Sequence, residues 1–96
     1  MVIGVCKVVL AIDEVFSLKE KRHIVKSLTE RLKSRFNASV AEVDLNDKWK
    51  RAVIGISCVS NESKHADSMM SSIVNFIESD GRAVLFDYST EIIHVN

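Results

Sequence analysis

Hydrophobic and polar positions change their period along this chain, and each change marks an element. Val2–Ile12 is apolar and β-rich, broken only by Lys7, and predicts a strand in the middle of a sheet. At Ser17 the rhythm becomes helical. Leu18, Val25, Leu28, Leu32 and Phe36 recur as one apolar stripe. Ser17 and Glu20 form S-x-x-E, a capping box whose side chains satisfy backbone donors at the helix start. Ala38–Leu45 alternates, with Ser39, Ala41, Val43 and Leu45 on one face and Val40, Glu42 and Asp44 on the other, as a half-exposed strand does. Asn46, Asp47 and Lys48 supply turn chemistry, so a hairpin leads into a strand over Trp49–Val59. Ser60 or Asn61 is expected to cap a second helix, with Ala66, Met69, Met70, Ile73 and Ile77 as its buried stripe. Asp80-Gly81 stops that helix, Gly81 suiting a left-handed position after its end. Arg82–Val95 reads as a last strand, irregular near Ser89 and Thr90.

The order is βαββαβ. Two helices with one apolar stripe each cover only one face of a four-stranded sheet. The pattern predicts an α+β, ferredoxin-like fold: an antiparallel sheet of order 4-1-3-2 with both helices on one face. No proline, repeat or low-complexity stretch divides residues 1–96, so one domain is expected. A chain of this length buries one core without staples. No apolar run is long enough to span a bilayer. The apolar start lacks a basic region and a small-residue cleavage site, and it alternates like a strand, which points to a cytoplasmic protein without membrane contact.

Charge changes this picture. The formal total is zero, yet residues 17–36 hold seven of the 13 basic residues against two acidic ones, net +5. The rest of the chain carries six basic and eleven acidic residues, net −5. On a helical wheel Lys19, Arg22, Lys26 and Lys33 fall within about 60° of one another, a ribbon roughly 20 Å long. Such a ribbon suits a phosphate backbone; the competing reading is a solvated face that keeps the protein soluble. Lys21 lies instead in the apolar arc of the first turn. It either snorkels along the core edge or joins an anion site at the helix N-terminus.

The uncovered sheet face is expected to carry Ile3, Val5, Lys7 and Val9 from the first strand and Arg51, Val53, Gly55 and Ser57 from the third. A base-stacking sheet places aromatic residues on these central strands, and none is there. An aliphatic face suits a second copy instead, so Ile3, Val5, Val9 and Val53 are the expected homodimer interface. Trp49, at the hairpin, suits a partner contact or packing at the rim.

Little else points to chemistry. Cys6 and Cys58 fall in apolar strand patterns and read as reduced core thiols. His23, His65 and His94 show no metal-ligand spacing with each other or with the cysteines. Neither a glycine-rich phosphate loop nor a nucleophile motif is present. Acylphosphatase chemistry on this fold needs glycine and arginine after the first strand, whereas this chain has Asp13-Glu14-Val15-Phe16. No enzyme activity, cofactor or metal is expected.

The strings SLKEKR at 17–22, FNASVAEVD at 36–44, WKRAVIG at 49–55 and VSNESKHAD at 59–67 resemble the YlxP-like family of small bacterial proteins of unknown function. The resemblance runs from Val2 to about Ile93. Leu45, Lys48 and Lys50 depart from the usual pattern, adding hydrophobicity and positive charge around the hairpin. The resemblance implies a ferredoxin-like fold, a cytoplasmic bacterial protein, and genes that neighbour those for a translation initiation factor and a ribosome-maturation factor. The expectation is a non-enzymatic accessory protein of translation or ribosome maturation. It would touch ribosomal RNA or a ribosomal protein through Lys19, Lys21, Arg22, Lys26 and Lys33. The alternative is a dimeric ligand-sensing or protein-binding module without nucleic-acid contact.

Overall fold

A computed structural model describes residues 1–44 and 50–96. The chain runs β1 (Val2–Ala11), α1 (Leu18–Arg35), β2 (Ser39–Glu42), β3 (Arg51–Ser60), α2 (Ser63–Glu78) and β4 (Val84–His94). The strands form one antiparallel sheet in the order β2-β3-β1-β4. This is the α+β arrangement and the strand order that the hydrophobic pattern predicts. The hairpin residues Leu45 to Lys48, and Trp49 beside them, lie outside the described residues.

Alternation decides which sheet face is covered. On β1, Val2, Gly4, Cys6, Val8 and Leu10 are buried; on β3, Ala52, Ile54, Ile56, Cys58 and Ser60 are. These residues face Ile24, Val25, Leu28 and Leu32 of α1 and Ala66, Met70, Ile73, Val74 and Ile77 of α2 in one core cluster. Gly4 sets how closely α2 approaches. A Cβ built there meets Cys58 Sγ at 3.1 Å, Met70 Cγ at 3.3 Å and Ala66 Cβ at 3.4 Å, so a side chain at this position would crowd both the neighbouring strand and α2.

Several local expectations shift. The second helix begins after Glu62, and neither Ser60 nor Asn61 caps it. Ser60 Oγ instead accepts the Glu62 N–H at 3.1 Å, closing a turn ahead of the helix. Gly81 adopts φ +85°, two residues past the cap at Ser79. Met69 is half-buried at the margin of the core, and Val74, outside the predicted stripe, is buried in it. The irregularity in β4 lies at Phe86 rather than at Ser89 and Thr90: Val9 pairs with Asp87 and Leu10 with Leu85, leaving Phe86 as an extra residue. β4 is a long edge strand, whereas β2 closes the other edge with only four residues.

Candidate functional site

The basic face of α1 is positioned by the start of the helix. Ser17 Oγ accepts the Glu20 N–H at 3.1 Å. The reciprocal half of the capping box is displaced by one residue: Glu20 Oε2 accepts the N–H of Phe16, at 3.3 Å, rather than that of Ser17. From this cap Lys19, Arg22, Lys26 and Lys33 project as exposed residues along the stripe the wheel predicts. Exposed Glu30 lies on the same stripe between Lys26 and Lys33 and dilutes its charge. Lys19, Lys26 and Lys33 make no ion pair with a carboxylate among the described residues. Arg22 is engaged within the molecule.

Lys21 does not share that surface. It is 2% exposed, the largest fully buried side chain, and it too is engaged rather than free. A lysine that snorkelled would keep its ammonium in water; this one does not. Nor can a phosphate reach it from solvent, so the ribbon excludes it.

Two further cations of α1 are used internally. Arg31 forms an ion pair and hydrogen bond with Asp80, whose side chain is 1% exposed, and Arg82 Nε lies 3.8 Å from the same carboxylate. Arg82 also donates to Ser27 Oγ at 3.1 Å, so the turn after α2 is tied to α1 twice. Burial alone would push the Asp80 carboxyl up. The Arg31 hydrogen bond and charge, with the Arg82 amide and charge, outweigh it and hold the group below its ordinary range. Arg35 sets its guanidinium 5.2 Å over the Phe76 ring, which packs edge-on against Phe36 at 5.8 Å.

The uncovered face carries a second candidate surface. Ile3, Val5, Val9 and Val53 are half-buried and Lys7 is exposed. Val43 lies over Gly55, with Cγ1 only 2.7 Å from where a Cβ would stand. The bulge turns Phe86 onto this face, where Arg51 places its guanidinium 4.7 Å over the ring and 3.5 Å from Asp13. The central strands hold no aromatic residue, but the edge strand supplies one that the sequence pattern did not mark.

Phe16 was missed in the same way. It is 90% exposed, the most exposed large apolar residue described, while its neighbour Val15 is buried at 4%. Cys6 and Cys58 are free and buried, and burial pushes the Cys6 thiol up. His23, His65 and His94 are exposed, and no group of three metal-ligand types gathers among the described residues. No helix among them is long and apolar enough to cross a membrane.

Comparison with known proteins agrees with the strings that carry the resemblance. The chain is similar to the uncharacterized protein YlxP of Bacillus subtilis (strain 168), 32% identical over 77 residues, covering 80% of this chain and 84% of that protein. The family model described as protein of unknown function, DUF503, matches residues 3–90. Nearly the whole described fold lies within that match, and the chain belongs to the DUF503 family.

Proposed function

We propose that this protein is a non-enzymatic, cytoplasmic accessory protein of bacterial translation or ribosome maturation, built on a ferredoxin-like fold. It contacts RNA or a ribosomal surface through α1. The observation that carries the reading is the stripe of Lys19, Lys26 and Lys33, exposed and without carboxylate partners among the described residues, on a chain whose other residues are net negative. A concentrated cationic stripe on a neutral protein favours one oriented contact with phosphate over general binding to polyanions. The gene neighbourhood implied by the YlxP-like resemblance supports the translational side.

The open sheet face supports a homodimer in the same protein. Half-buried Ile3, Val5, Val9 and Val53 adjoin exposed Val43, Val59, Val84 and Phe86, a largely aliphatic surface edged by the charges of Lys7, Arg51, Asp87 and Glu91 that a second copy would cover. Taken without α1, that surface is the basis of the second reading, a dimeric ligand-sensing or protein-binding module. Co-sedimentation with ribosomes across a salt series separates the two. The RNA reading expects association at low salt that fades as salt rises and is lost in the Lys26→Glu/Lys33→Glu protein. Wild type and double variant both staying in the supernatant at low salt would leave the protein-binding reading.

A further inference from the structure

We propose that the free edge of β4 takes an extended, basic segment of another protein as a fifth strand. This contact is separate from α1 and does not rest on the RNA reading.

The backbone calls for a strand. β4 lies last in the sheet, and among the described residues no strand pairs with its outer side. Residues 87–94 pair without interruption with β1, so the edge is regular beyond the bulge at Phe86. Every second residue along it turns its N–H and C=O away from β1, where water or another strand must satisfy them. Proline and lysine, the usual guards of a free edge, are absent from β4.

Charge decides which strand fits. Residues 61–96, which hold α2 and β4, carry six acidic and two basic residues, net −4. Of the two bases, Arg82 is held near buried Asp80 and Lys64 stands in the first turn of α2. Four exposed carboxylates flank the edge. Asp87 and Glu91 stand on its open-face side, opposite Val9 and Val5. On its helix side a depression of about 170 Å³ lies between β4 and α2. Asp67, Ser71, Asn75 and Glu78 line it as one stripe of the helix, Tyr88 and Thr90 line it from the strand, and no cation does. None of the four carboxylates forms an ion pair among the described residues; Lys7, opposite Ser89 between Asp87 and Glu91, bonds to neither.

Side chains of an added strand alternate between these two sides. One set stands beside Asp87 and Glu91, and the other lies over Tyr88 and Thr90 toward Asp67 and Glu78. Lysine and arginine suit both sets: their stems cover the Tyr88 ring, 50% exposed, and their heads reach the carboxylates. Other occupants fit less. Phosphate is repelled here, which excludes nucleic acid. A small cation leaves the backbone row unused. Among the described residues a second copy offers only acidic edges, β4 itself and β2 with Glu42, while its basic residues gather on a helix, which cannot join a ladder. Strand addition by a basic segment uses both the backbone row and the charge.

The test uses a fluorescein-labelled peptide of alternating lysine and threonine, about ten residues long so that it spans the regular edge. A matched peptide with proline for threonine keeps the charge and cannot form a ladder. Anisotropy titrations compare wild type, Asp67→Lys/Glu78→Lys and Lys26→Glu/Lys33→Glu, and amide hydrogen exchange read by NMR follows β4 in wild type. The lysine–threonine peptide should bind wild type and slow exchange at alternate amides of residues 87–94, leaving those of β2 unchanged. The α2 reversal should weaken binding about tenfold, two attractions being lost and two repulsions gained, with an unchanged circular dichroism spectrum. The α1 reversal should not weaken it. Failure of wild type to bind, or equal binding by the α2 reversal, overturns the proposal. Equal binding of the two peptides, or binding without protection in β4, shows charge adhesion alone and overturns it too. Alternate β4 amides that are already slow in the free protein and quicken on dilution place a second copy on the edge, which also overturns it.

Discussion

Replacing Asp80 by Asn removes the charge that joins α1 to the turn after α2. The Asp80 side chain is 1% exposed, so the carboxylate has given up nearly all its water and is compensated by Arg31 and Arg82. Breaking a fully buried pair by removing one partner costs about 3–5 kcal/mol. Here Arg31 and Arg82 stay 41% and 45% exposed and regain water when the charge goes, which lowers the figure. The expected loss is about 2–3 kcal/mol, the range of hydrogen bonds to charged groups. For a domain of this size that is a fall in Tm of roughly 10–20 °C. The loss has a pH signature. The folded carboxyl is held below its ordinary range, so its contribution is complete above about pH 4 and disappears as pH falls through the folded value. Urea denaturation followed by circular dichroism should show a wide gap between wild type and Asp80→Asn at neutral pH. The gap should narrow at about pH 3. A gap under about 1 kcal/mol at neutral pH, or one that acidification leaves unchanged, would refute the assignment of Asp80 as a charged clamp.

Other expectations concern the surfaces. If Lys19, Arg22, Lys26 and Lys33 each neutralise a phosphate, log affinity should fall with log salt with a slope of about −3; reversal of Lys26 and Lys33 should lower it while moving stability by under about 0.5 kcal/mol. Val5→Asp or Val53→Asp should convert a dimer to a folded monomer, and Lys7→Glu should leave the fold intact; light scattering that finds wild type monomeric at micromolar concentration removes the interface. Cys6 and Cys58 should react slowly with a thiol reagent in the native protein and completely when unfolded, and an intramolecular disulfide found by mass spectrometry would contradict their role as reduced core residues.

What the sequence discloses and what it hides follow from range. Periodicity is local, so Leu28 and Leu32 on α1, or Ile73 and Ile77 on α2, announce their buried side, and Ser17 with Glu20 announces the helix start. The ribbon lysines are legible for the same reason. Arg31 is not, because its partner Asp80 lies 49 residues away and only the fold brings the two together. Lys21 sits where a wheel predicts an apolar residue, and no pattern tells a buried lysine from one that reaches water. Phe16 fails in the opposite sense. A phenylalanine beside a valine reads as core, and only the placement of Val15 inside shows that the ring must stand outside. Phe86 depends on a one-residue slip between β1 and β4, which alternation alone cannot locate.

The long free edge of β4 bears on how copies of this molecule can gather. Two such edges meeting antiparallel about Ser89 would set Asp87 of each copy directly against Glu91 of the other. Like charges facing across a new ladder oppose its formation, and the bulge at Phe86 bends the strand just beyond them. Edge-to-edge pairing in that register is thereby discouraged. The homodimer proposed above would use the open face instead and leave this edge unpaired, with Asp87 and Glu91 beside Val9 and Val5 to be accommodated in the contact.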